Sequence, residues 1–121
     1  MTEKIPAQAQ QLLIQLQQLQ QQLQQLAQQK QIMEIQKLEL DKALEELEKT
    51  QSKEEVYKMV GPILVKTEKA KLEKDLSDKK ESIEVRIKRL DSQMDKMQEK
   101  AKETQMSLQK ILEGGSVPRA G

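Results

Sequence analysis

Apolar residues recur along the first third of the chain with alternating spacings of three and four: Ile5, Ala9, Leu12, Leu16, Leu19, Leu23 and Leu26, then Met33, Leu40, Leu44 and Leu47. Lys30 and Lys37 occupy the two positions the pattern would otherwise fill with apolar side chains. A period of three and four is a heptad seam, which predicts a helix that winds left-handedly on a partner helix. A second seam runs through Leu76, Lys80, Ile83, Ile87, Leu90, Met94, Met97, Ala101, Thr104, Leu108 and Ile111, with Leu72 one position out of step. Each seam predicts a helix about 65–70 Å long at the α-helical rise per residue. Lysine at a seam position either fixes register or covers the seam with its apolar stem while the ammonium reaches water.

Between the helices the period changes. Val56-Tyr57-Lys58-Met59-Val60 and Ile63-Leu64-Val65-Lys66-Thr67 are short, β-branched or apolar runs around Gly61-Pro62, which predicts two strands and a turn. Because Pro62 cannot donate to a ladder and restricts the residue before it, a looser turn near residues 60–62 is expected. The predicted order is helix 1 at about 5–51, a hairpin at about 55–67, helix 2 at about 68–113 and a flexible tail at 114–121, as one domain over 1–121. Thr67 is a candidate N-cap for helix 2.

A connection of roughly 17 residues favours an antiparallel pair of helices, with residues whose numbers total about 118 lying opposite, and Leu12 near Met106. The hairpin alone would be marginal and would expose two open edges, so it should pair with copies or relatives of itself. Its apolar residues Val56, Tyr57, Met59, Val60, Ile63, Leu64 and Val65 are the candidate oligomerisation surface. At the other end of the helix pair, Ile5, Leu12, Leu13, Ile14, Leu16, Leu108, Ile111 and Leu112 make the apolar surface wider than one seam can bury. That end is either a binding surface for apolar partners or a frayed terminus with a few harmless leucines.

Composition narrows the chemistry. The 121 residues include 21 basic and 20 acidic side chains, for a net charge of +1, with no cysteine and no histidine. Disulfides, thiol nucleophiles, imidazole bases and nearly all zinc or copper sites are therefore excluded. The four glycines cannot assemble a phosphate-binding or dinucleotide loop, so no nucleotide site, cofactor or catalytic residue is expected. Balanced charge with basic runs that lack stacking aromatics argues against nucleic acid, and the absence of a long apolar run argues against a membrane span. A cytoplasmic location is the default expectation. Glutamine is abundant between Gln8 and Gln36, but a leucine period accompanies it, so the tract reads as the neutral face of a helix.

Two heptad helices around the single string Val56-Tyr57-Lys58-Met59-Val60-Gly61-Pro62-Ile63-Leu64-Val65-Lys66 resemble the β-type subunits of prefoldin over about residues 5–113. The connection has room for one hairpin, whereas an α-type subunit would carry two. The resemblance implies a mainly α fold, a long antiparallel two-helix coiled coil whose hairpins assemble into β-barrels in an oligomer. It also implies a hetero-hexamer of two α-type and four β-type subunits. The activity it implies is ATP-independent: unfolded client proteins are held at the coiled-coil tips and delivered to a group II chaperonin. A coiled-coil scaffold that binds one specific folded partner is the alternative, separable by testing several unrelated unfolded clients.

Overall fold

The computed structural model describes residues 5–114. The element order is α1 (Ala7–Lys49), β1 (Val56–Val60), β2 (Ile63–Thr67) and α2 (Lys69–Gly114). Helix α1 therefore begins two residues later and ends two earlier than the expected span of about 5–51. Pro6 sets the start, because its fixed φ suits a helix entry and its carbonyl accepts from Gln10 N–H at 3.0 Å. Ile5 consequently lies outside the helix and is exposed. The tail expected at 114–121 falls, beyond Gly114, outside the described residues, and Gly114 itself is the last residue of α2.

The end of α1 is closed by a set of hydrogen bonds. A helix leaves its last carbonyls without intrahelical donors. Thr50 Oγ1 donates to Glu46 O at 3.0 Å and Thr50 N–H to Leu47 O at 3.1 Å. Lys69, the first residue of α2, sends its ammonium back to Glu48 O at 3.4 Å and Thr50 O at 2.6 Å. A cation at that terminus also opposes the negative end of the helix dipole. Gln51 and Glu54 then clasp each other through Gln51 N–H to Glu54 Oε1 and Glu54 N–H to Gln51 O, turning the chain into β1. The N-cap position of α2 is taken by Glu68, whose carbonyl accepts from Leu72 N–H, one residue past the expected Thr67, which ends β2.

The two strands pair antiparallel in the register Val56↔Thr67, Tyr57↔Lys66, Lys58↔Val65, Met59↔Leu64 and Val60↔Ile63. The turn is tight rather than loose. Only Gly61 and Pro62 lie between the last paired residues, and Gly61 has φ 59°. A two-residue turn with positive φ first and a negative φ second is the II′ form, and the pyrrolidine ring holds the second position negative. Proline thus fits here because its missing N–H falls in the loop and not in the ladder. No Cβ neighbour crowds Gly61, so its requirement for glycine is conformational.

The chain divides into two compact units, one combining the described parts of Met1–Gln29 and Leu90–Gly121, the other Lys30–Arg89. In the first unit Ala9, Leu108 and Ile111 form a buried cluster with Leu12 and Leu13 packed against it, while the Gln15–Gln22 stretch lies beside Lys100. The helices there run antiparallel. In the second unit Lys37 Nζ meets Glu84 at 3.4 Å and Lys80 Nζ meets Asp41 at 2.6 Å, again antiparallel. Both pairs total 121, so the opposition in this unit is shifted by a few residues from the 118 expected. Burial follows the heptads closely: Leu19, Leu47 and Leu90 are buried, and the remaining seam positions of α1 and α2 are at least half-covered.

Seam lysines act through partners here. Lys37 and Lys80 both reach across to carboxylates of the facing helix, and Lys30 pairs with Glu34 on its own helix at 3.8 Å. Such half-exposed pairs contribute only about 0–1 kcal/mol each, so their main effect is on register and not on total stability. Thr104, the polar residue buried in the second seam, satisfies its hydroxyl by donating to Lys100 O at 2.8 Å.

Candidate functional site: an exposed hairpin and an apolar helix end

In the second unit the hairpin presents apolar side chains on both of its faces. Strand alternation places Val56, Lys58, Val60, Ile63, Val65 and Thr67 on one face, and Tyr57, Met59, Leu64 and Lys66 on the other. Of the seven apolar hairpin residues only Val56 is half-buried; Tyr57, Val60, Ile63, Leu64 and Val65 are exposed, and Met59 is 70% exposed. A two-stranded sheet that leaves six large apolar side chains in solvent is incomplete by itself.

Polar contacts hold the hairpin at its base. Lys58 Nζ reaches Asp75 of α2 at 3.4 Å, tying the first face to the helix. On the second face Tyr57 donates its hydroxyl to Glu55 at 2.7 Å, and Lys66 Nζ donates to the same carboxylate at 3.2 Å. The Tyr57 hydrogen bond, with that of Lys66, holds the Glu55 carboxyl below its ordinary range. Glu55 in turn pushes the Tyr57 phenol up, since ionising the phenol would remove the donated proton and set two negative charges together.

In the first unit the eight residues expected to form a client-binding tip fall into three groups. Leu108 and Ile111 are 7% and 5% exposed and form the cluster with Ala9, so they hold the helices together and offer no surface. Leu12, Leu13 and Leu16 are half-buried. Ile14 and Leu112 are 55% and 54% exposed, and Ile5 is exposed as well. Leu13 leans into the cluster although it lies off the heptad line, because a position adjacent to the seam can wrap over its edge. Leu12, expected near Met106, packs against the cluster of Ala9, Leu108 and Ile111, and Met106 itself stands 53% exposed.

The heptad reading passed over an apolar patch on the outer face of α1, where Ile32, Ile35 and Leu38 are exposed at helical spacing. Their signal was in the sequence, since all three fall off the seam in a helix that is otherwise polar there. Among the described residues no acidic group is arranged to hold a metal ion, and no helix is long and apolar enough to cross a membrane.

Comparison with known proteins agrees with this architecture. Residues 10–115 match the family model described as prefoldin subunit. A prefoldin subunit beta from Thermococcus gammatolerans is 46% identical over 110 residues, covering 91% of this chain and 94% of its own length. One from Archaeoglobus fulgidus is 47% identical over 81 residues, which is 67% of this chain and 66% of that protein. The crystal structure of the prefoldin beta subunit from Thermococcus strain KS-1 superposes with a TM-score of 0.86 at 42% identity, covering 92% of this chain and 97% of that one. The long helices, the lone hairpin between them and the sequence of that hairpin have one common explanation: the chain belongs to the prefoldin subunit family, a family of chaperones, and within it resembles the beta subunits.

Proposed function

We propose that this chain is the β-type subunit of a hetero-hexamer with two α-type and four β-type members, that it acts in the cytoplasm, and that all of 1–121 works as one prefoldin-like domain. The hairpins join edge to edge into β-barrels, which covers the apolar faces of β1 and β2. Non-native proteins are held without ATP at the helix ends and passed to a group II chaperonin. No group on the chain is used as a catalyst.

The observation that carries client binding is the exposure of Ile14 and Leu112 beside a cluster that is already closed by Ala9, Leu108 and Ile111. Those side chains have no packing role left to perform. Each contributes about 1–2 kcal/mol when a client covers it, so capture needs several subunits acting together. Such a site is indifferent to client sequence, as a general holdase requires.

The test mixes the chain with an α-type subunit and compares it with an Ile14→Ser, Leu112→Ser variant. Native mass should report the hexamer for both. The parent should slow aggregation of several unrelated unfolded proteins without ATP, and the variant should lose most of that protection. Full protection by the variant would remove the tip reading, and protection of one client alone would favour a scaffold for a specific partner.

A further inference from the structure

The charge distribution of the first unit is one-sided. From Ile5 to Gln29 the chain carries no charged residue, in a protein that is 34% charged, and thirteen of the positions between Ala7 and Gln29 are glutamine. The facing segment of α2 alternates acids and bases in the ordinary way for an exposed helix. Solubility does not require this, since lysine and glutamate form helices as readily as glutamine and hydrate better.

Gln15, Gln18 and Gln22 stand one helical turn apart and, with Lys100, line a concavity over Leu19, which is buried. None of these three side-chain amides has an intrachain hydrogen-bond partner among the described residues. The groove therefore has an apolar floor, three amides that each offer donors and an acceptor, and a single charge at its rim.

We propose that this amide-lined groove binds the main chain of extended, non-native polypeptide, so that client capture in the first unit is read from backbone amides as well as from apolar side chains. The proposal rests on the holdase reading above and assigns it a second contact surface. An unfolded segment carries unpaired N–H and C=O groups whatever its sequence. Glutamine can pair with both, while Lys100 and the glutamine NH₂ groups serve its carbonyls. The floor at Leu19 accepts one small apolar side chain. A face without net charge repels neither acidic nor basic clients, whereas a lysine or glutamate face would select by sign. Each amide pair is weak in water, which keeps release easy.

The experiment uses the full chain assembled with its α-type partner. Probes are two permanently unfolded proteins of opposite charge, reduced carboxymethylated lactalbumin and reduced alkylated lysozyme. The parent should bind both with affinities that hold within about threefold from roughly 50 to 300 mM salt, a range over which screening more than doubles. Gln15→Ala, Gln18→Ala, Gln22→Ala, which keeps neutrality and helix propensity, should weaken both probes about equally, by roughly fivefold. Gln15→Glu, Gln18→Glu, Gln22→Glu should split them, weakening the acidic probe by about tenfold or more and restoring it with salt. Circular dichroism and native mass should match the parent for both variants.

Binding of both probes at parental strength by the alanine variant overturns the groove while leaving the Ile14 and Leu112 surface standing. A loss confined to one probe overturns backbone recognition in favour of charge recognition. An altered native mass assigns the glutamine face to contacts between subunits and likewise overturns the proposal. If the parent binds neither probe, the holdase reading falls first and this one with it.

Discussion

Truncating Leu108 to alanine removes three carbon groups from a side chain that is 7% exposed in the Ala9, Leu108 and Ile111 cluster. At ~0.8 kcal/mol for each, the transfer loss is ~2 kcal/mol. The added cost of an empty cavity is small here, because the seam is one layer deep and the half-buried Leu12 and Leu13 can move inward. The total stays near ~2 kcal/mol, at the low end for leucine truncations. Leu112, four residues further along the same helix, is 54% exposed and should cost less than about 0.5 kcal/mol. Hydrogen exchange resolves the two. Amides of the paired segments around Ala9 and Leu108 should lose protection about 30-fold in Leu108→Ala and no more than about twofold in Leu112→Ala. Equal effects from the two variants, or unchanged protection in Leu108→Ala, would refute the assignment of Leu108 to the closed seam and of Leu112 to the free surface.

Val65→Pro removes a main-chain donor from the Lys58↔Val65 pair, so native mass should fall from the assembled value while the helical circular dichroism signal is kept; a full-mass assembly would contradict hairpin-mediated association. Tyr57→Phe takes away the largest of the interactions that lower the Glu55 pKa, so its carboxyl resonance should titrate at higher pH than in the parent. The stabilisation Glu55 supplies is present above the ordinary carboxylate pKa and is lost as pH falls through its lowered value, and an unmoved midpoint in the variant would exclude the hydrogen bond. Lys80 has its pKa raised, first by its hydrogen bond to Asp41, so its contribution is present below the ordinary lysine pKa and disappears as pH rises through the raised one. Asp41→Asn should therefore melt with a shallower alkaline decline than the parent, and parallel curves would show that the pair does not act in solution.

Much of this architecture is written in the spacing of residues. A three-four period dictates which side of each helix is covered, because the angular position of a side chain follows from its number alone. Every seam position from Ala9 to Leu47 and from Leu76 to Ile111 is accordingly buried or half-covered. Two β-branched runs around Gly61-Pro62 likewise suffice for a hairpin, since neither run has a helical period. The sequence also carries the absence of charge along the first half of α1, which no fold can alter.

Other features depend on groups far apart in sequence. A heptad fixes which face is covered but leaves the axial offset of two helices free, as sliding by one heptad preserves the pattern. Within the second unit the offset is set by contacts such as Lys37 with Glu84 and Asp41 with Lys80, and by the span of a connection tightened through Lys69 and Thr50. In the first unit, taken by itself, Leu12 packs against the cluster of Ala9, Leu108 and Ile111 while Met106 is exposed. Leu13 and Ile14 are adjacent, apolar and both off the seam, yet one is drawn against the cluster and the other is left exposed. The side of the seam that a neighbouring helix overhangs decides between them, and that is a property of two helices in contact and not of either one's period.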